Sequence, residues 1–461
     1  MIFKTIKQLT MTQNRMMYLL VLIPLITTVS CKKFLDKKSD TTLVVPKSIS
    51  DIQGILDDNF FMNSQTPGFG ETSSDDYFVP MAIYNSLPKI NQEAYTWRLE
   101  NYSYSNDWST SYIPVYNSNY CLEKVEKIIK SPQNESSWNN IKGSALFFRA
   151  FYFLNLVWEY GKAYDDNTSS TDLGIVLRLT SDFNIPSVRS SVKECYERII
   201  QDLNEAVLYL PEHPLNVMRP SKPAGYALLA RAYLTMRKYD SAFKYADLFI
   251  QRQNRLLDYN SAEVNINSNI PFQPFNEEIV FYSTQSFFYS PKTPSRARID
   301  TILYAEFNDN DIRKTAFFKS DNGYYRFKGN YSSAQSLFFT GIAVDEIYLI
   351  RAECNARLGK LDEALNDLNA LLIKRFKEGT FIMVTANSSS EALDIILKER
   401  RKELLMRGLR WIDIKRLNLE GAGIIPKRLI GSTTFQLQVN DRKYALPLPM
   451  DIINITGMPQ N

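Results

Sequence analysis

The chain has 461 residues, more than the ~100–200 of one ordinary domain, and its 44% hydrophobic and 23% charged residues exclude wholesale disorder. Lys plus Arg number 54 and Asp plus Glu 50; residues 1–30 hold Lys4, Lys7 and Arg15 and no acid, which leaves 51 against 50 beyond them. So even a balance provides no electrostatic footprint for nucleic acid or for an anionic membrane surface.

Residues 1–30 read as a secretory signal: a basic start, then an apolar run from Met16 to Val29 that ends in small residues. The run is shorter than the ~20 residues of a membrane span, and Pro24 interrupts it. Cys31 follows, with Ser30 at −1 and Thr28 at −3, so the pattern predicts a lipoprotein signal cut before a lipid-bearing Cys31. The expected organisation is a signal peptide over 1–30 and a single domain over 31–461. The domain divides into a part with helical pairs (31–270), an irregular insert (271–341) and C-terminal helical repeats with a closing segment (342–461).

From Ser39 to Tyr116 the chain is poorly periodic and rich in turns and aromatics, with one short helical stretch near Ser50–Phe60. Helices are expected over 108–130 and 138–160. The clearest spans 189–211, where Val192, Cys195, Tyr196, Ile199, Leu203, Ala206, Val207 and Leu210 recur at three- and four-residue spacing. Ser191 and Glu194 form a capping box at its start, and Pro211 stops it.

Two segments, 224–250 and 346–372, repeat each other with an offset of 122. Each is a helix, a tight turn and a second helix. Ala230 and Ala352 stand twelve residues before Ala242 and Ala364, small residues of the kind that let paired helices approach closely, as in a tetratricopeptide repeat. Asp240 and Asp362 sit where an N-cap or first-turn carboxylate belongs. A further unit is expected over 389–416. Between the repeats, 255–341 carries loop- and strand-like strings such as PFQPF and SDNGYYRFKGNY. The fold class expected is mainly α, with tetratricopeptide-like pairs and irregular loop and short-strand inserts.

Catalytic and metal chemistry find little support. Beyond Cys31 the cysteines are Cys121, Cys195 and Cys354, at no metal-ligand spacing, and the one histidine, His213, lies in the loop-like LPEHPL. Asp75–Asp76 and Glu277–Glu278 are adjacent acidic pairs, but neighbouring residues rarely face each other across a sugar as glycoside hydrolysis requires. The cluster Glu399, Arg400, Glu403, Arg407, Arg410 and Asp413 reads as an ion network in which a buried Arg400 takes carboxylates from adjacent turns. No catalytic residue, metal ligand or cofactor is assigned.

Five blocks together resemble the SusD/RagB family: CKKFLDKKSDTTLVVP (31–46), NDWSTSYIPVYNSNYCLEKVEKI (106–128), GSALFFRAFYFLNLVWEYGKAYD (143–165), ILKERRKELLMRGLRWIDIKRLN (396–418) and YALPLPMDIINITGMPQN (444–461). The resemblance implies a SusD-like α/α superhelix and an outer-membrane lipoprotein facing the exterior. It implies as partners a SusC-like TonB-dependent barrel, a glycan or other nutrient ligand, and the membrane through the lipid on Cys31. A tetratricopeptide scaffold binding only proteins is the alternative. A glycan binder needs aromatic faces for sugar rings and polar groups for hydroxyls. The candidate ligand residues, drawn from the irregular stretches, are Trp97, Tyr84, Asp76, Tyr289 and Tyr324, with Trp97 read as an exposed stacking platform and, in the competing reading, as core. Trp108 and Trp411 are assigned to the core.

Overall fold

The computed structural model describes Pro46 and residues 48–461; the signal segment and Cys31 lie outside the described residues. Nine helices of nine residues or more occur among the described residues: α1 Asp107–Val125, α2 Glu135–Tyr160, α3 Val192–Tyr209, α4 Lys222–Thr235, α5 Tyr239–Ile250, α6 Val344–Arg357, α7 Leu361–Leu372, α8 Ser389–Glu403 and α9 Arg410–Asn418. Ser191 caps α3 in the expected box, its hydroxyl accepting from the Glu194 N–H while Glu194 accepts from the Ser191 N–H. The stripe read from the sequence is the face that α3 buries.

From α1 to α7 each helix packs against the one before it, and α8 lies on α6. The matched segments are the pairs α4–α5 and α6–α7, and Ala230, Ala242, Ala352 and Ala364 are all fully buried where the helices touch. Gly143 in α2 shows the same need for small residues, since a Cβ there would stand 2.9 Å from the Leu210 backbone nitrogen. Helix α5 packs directly on α6, so residues 251–343 leave the helical row and return to it between neighbours.

That excursion is more ordered than its loop-like strings imply. It builds a second apolar core with Tyr77, Val79, Tyr84 and Tyr95 from the N-terminal part, Phe272, Phe317, Phe327 and Phe339 from the insert, and Leu405 and Met406. Its hairpin, Phe318–Asp321 with Tyr324–Phe327, turns at Asn322–Gly323, both in the left-handed region (φ 51° and 83°), which is the reason for an Asn-Gly pair there.

Three expectations need correction. The helix expected over 389–416 is two, α8 and α9, broken where Met406 and Gly408 adopt positive φ; the stretch near Ser50–Phe60 likewise divides into Ile49–Leu56 and Asn59–Asn63. The ion network is real, but its pairing is long-range. Arg400 pairs with Asp413 alone (2.8 Å), while Glu399 goes to Arg313, and Glu403 is shared by Arg313 (2.8 Å) and Arg375 (2.7 Å). Arg375 also holds Glu278 at 2.7 Å. Burial alone would raise the Glu403 pKa, but the Arg375 and Arg313 guanidinium groups hold it at about 2.

Candidate functional site

Four of the five candidate ligand residues are interior. Asp76 is 1% exposed and accepts from Arg401 Nε at 2.9 Å. Tyr84 is buried, with Arg98 Nη2 donating to its hydroxyl. Tyr289 is buried and stacks on Phe69, centroids 4.5 Å apart. Trp97, expected as an open platform, is 6% exposed; its Nε1–H donates to the Ser73 carbonyl (3.1 Å) and the Arg428 guanidinium lies over its ring. Tyr324 alone presents its ring, 43% exposed, edge-on to Phe78. The structure does not gather these five into one site.

Trp97 nevertheless leads to a site. The helix Lys89–Tyr95 ends at Thr96, and Trp97 takes a left-handed conformation (φ 54°), disfavoured for a side chain with a Cβ. The chain beyond it, residues 98–106, rises over the closing segment. A cleft of about 290 Å³ opens between them, with Phe69 and an edge of Trp97 on its inner wall. Its two sides are tied together: Tyr102 O–H donates to the Pro447 carbonyl, the Met450 N–H to the Tyr102 carbonyl (2.8 Å), and the Tyr104 N–H to Asp451 Oδ2 (3.0 Å).

Around this cleft, Glu100, Asn101, Arg442 and Lys443 line the opening, and no ion pair or hydrogen bond among the described residues engages their side-chain heads. Most charged groups in the interior are committed to partners, whereas these four heads are uncommitted donors and acceptors that can bond hydroxyl groups. In the same loop Tyr104 stands 76% exposed. Arg442 and Lys443 could not be found from sequence, because they join the site from more than 330 positions away. Glu100 and Asn101 were legible as polar neighbours of Trp97.

Behind Phe69 lies a buried polar cluster. Glu159 accepts from the Gly70 N–H (2.8 Å), while its second oxygen and the hydroxyls of Tyr160 and Tyr289 have no hydrogen-bond partner. Burial, then the charge of Asp107, pushes the Glu159 pKa well above the carboxylate range, and burial pulls that of Lys292 down. A carboxyl so perturbed is the kind that serves as a general acid. Glu159, however, does not line the cleft, so its proton has no direct route to a bound sugar. The adjacent acids are also committed. Arg410 and Arg401 hold the Asp75 carboxyl well below its usual range despite burial, and Glu278 accepts from Arg375 and Tyr331.

The mostly helical fold, with its few short strands, matches SusD superfamily structures. A putative sugar-binding protein from Bacteroides vulgatus superposes with a TM-score of 0.72 at 22% identity, covering 91% of this chain and 99% of that one. A SusD superfamily protein from Bacteroides thetaiotaomicron gives 0.72 at 21%, covering 90% and 100%. A laminarin-binding SusD-like protein gives 0.64 at 19%, covering 89% and 97%. Residues 33–234 match a SusD-like family model described as starch-binding and associating with the outer membrane, and residues 344–446 match the SusD family model. SusD-like protein P2 of Formosa agariphila is 24% identical over a gapped alignment of 419 positions, which covers 77% of this chain and 79% of that protein. The chain belongs to the SusD/RagB family.

Proposed function

We propose that this protein binds an oligosaccharide in the cleft between residues 97–104 and the closing segment, without turning it over. It then passes the sugar to a SusC-like TonB-dependent barrel in the outer membrane, to which a lipid on Cys31 tethers it. The observation that carries the reading is the set of uncommitted polar heads, Glu100, Asn101, Arg442 and Lys443, around a cleft whose wall holds Phe69 and Trp97. The starch-binding description of the matching family and the laminarin-binding relative support a glucan as the ligand class. Binding without turnover is supported by the acidic pairs, whose carboxylates are held by guanidinium groups rather than facing one another across the cleft.

The test is calorimetric titration of the full chain with laminari- and malto-oligosaccharides. Glu100→Ala combined with Asn101→Ala should weaken binding by about tenfold or more. Both residues are exposed, so the melting temperature should hold. Unchanged affinity in the double variant would remove the cleft from the reading, and a protein-only scaffold would bind neither sugar. For the tether, Cys31→Ser is expected to move the folded protein from the membrane fraction to the soluble one; retention in membranes that lack the barrel would overturn the lipid anchor.

A further inference from the structure

The hairpin of the insert carries a second cleft, whose charge is one-sided. Phe318–Asp321 pairs with Tyr324–Phe327 so that Lys319 faces Arg326 and Asp321 faces Tyr324. Alternation along the strands therefore sets Lys319, Asp321, Tyr324 and Arg326 on one face. The opposite face gives Phe318 and Phe327 to the second core and stacks Tyr325 on Tyr304. A cleft of about 400 Å³ lies along the hairpin, lined by Lys319, Asp321, Arg326 and Lys328 with hydroxyl and amide groups between them.

Its cations outnumber its anions. Asp321 is the one carboxylate in the lining, and it is already taken twice, by Arg298 and by Arg326. Among the described residues, Lys319 finds only the neutral Asn269 Oδ1 (3.0 Å), and Lys328 only the carbonyls of Ile266 (2.7 Å) and Ser268 (2.9 Å). Arg326 Nε is buried with no acceptor. The crowding is felt: after burial itself, the charge of Lys319 lowers the Lys328 pKa, and that of Arg326 lowers the Arg298 pKa. Like charges held this close around a single shared carboxylate raise the energy of the empty site, and an incoming anion relieves it.

We propose that this cleft is a subsite for an acidic sugar unit, taking the carboxylate of a uronate or the sulfate ester of a sulfated residue. Lys319 and Arg326 supply charge-assisted hydrogen bonds to the anion, and Tyr324, on the same face, offers its exposed ring to the sugar. The neutral hydroxyls and amides of Ser295, Ser320, Gln335 and Ser336 suit the remaining hydroxyl groups. This rests on the glycan-binding reading and deepens it: the glycan carries a charged unit at this subsite beside the neutral units held in the first cleft.

The experiment titrates the full chain with oligogalacturonate, a sulfated galactan oligosaccharide, a neutral laminari-oligosaccharide of matched length, and inorganic sulfate alone. The charged oligosaccharides should bind about tenfold or more tighter than the neutral one, and their advantage should shrink as salt rises. Lys319→Gln, at an exposed position, should erode that advantage, and Lys319→Gln with Arg326→Gln should abolish it, while neutral binding stays as it was. Equal affinity for charged and neutral sugars, or charged binding indifferent to both variants, would overturn the subsite and leave the glycan-binding reading standing. Failure of every oligosaccharide to bind would sink both. Inorganic sulfate competing as well as the sulfated sugar would reassign the cleft to a free anion and overturn the sugar assignment.

Discussion

Glu403→Ala should destabilise the protein by about 3–5 kcal/mol, because it takes a shared carboxylate from two buried arginines at once. Its carboxylate accepts from Arg375 Nε at 2.7 Å and from Arg313 Nη1 at 2.8 Å, and all three side chains are sealed from solvent. Arg313 would retain Asp311 and Glu399, and Arg375 would retain Glu278. Each then keeps a partner but loses part of the negative charge that offset its desolvation. Urea unfolding followed by far-ultraviolet circular dichroism measures the loss. Glu205→Ala, which removes a half-exposed partner of Lys142, should cost no more than about 1 kcal/mol. A Glu403→Ala loss as small as that of the control would mean that the network is not coupled to folding. The same carboxylate sets a pH dependence. Its pKa falls from the ordinary 4.5 to about 2 on folding, so its stabilisation is complete above about pH 4.5 and disappears as the pH drops from there through 2.

Trp97→Ala is the second large effect, also about 3–5 kcal/mol. The indole is packed in the main core, donates to the Ser73 carbonyl and supports Arg428, whose guanidinium lies 5.0 Å from the ring centroid. Arg428 in turn gathers the carbonyls of Thr72, Ser74, Tyr77 and Tyr95, so the truncation loosens the seam between the N-terminal part and the strand Lys427–Ile430. Trp97→Phe keeps most of the packing and should lose about 1 kcal/mol, the worth of the indole hydrogen bond. Thermal unfolding of the two variants measures both. A stable Trp97→Ala protein that no longer binds oligosaccharide would restore the exposed-platform reading that the aromatic-rich segment suggested.

The expectation for Trp97 failed for a definable reason. In AYTWRLENYSYSND an aromatic among polar residues has no periodicity to say which way it points, and a single left-handed residue turned it inward. The same holds for Tyr84, Tyr289 and Asp76: their partners Arg98, Phe69 and Arg401 are set by packing between distant segments. Tyr324 emerged exposed because it sits beside a hairpin turn whose Asn-Gly pair was visible in the sequence.

By itself the sequence determined what depends on near neighbours: the buried face of α3, the helix–turn–helix pairs α4–α5 and α6–α7, the capping box at Ser191, the small residues between paired helices, the core placement of Trp108 and Trp411, and the order of family blocks along the chain. These follow from periods of three and four residues and from cap chemistry, which act within one or two turns. Only the tertiary structure decided what depends on distant segments meeting. It moved Glu399 and Glu403 from Arg400 to Arg313 and Arg375, and it brought Arg442 and Lys443 to Glu100 and Asn101. It also set Lys319, Arg326 and Lys328 around a cleft holding a single carboxylate. A buried guanidinium takes whichever carboxylate the packing delivers, and no local pattern records which one that will be.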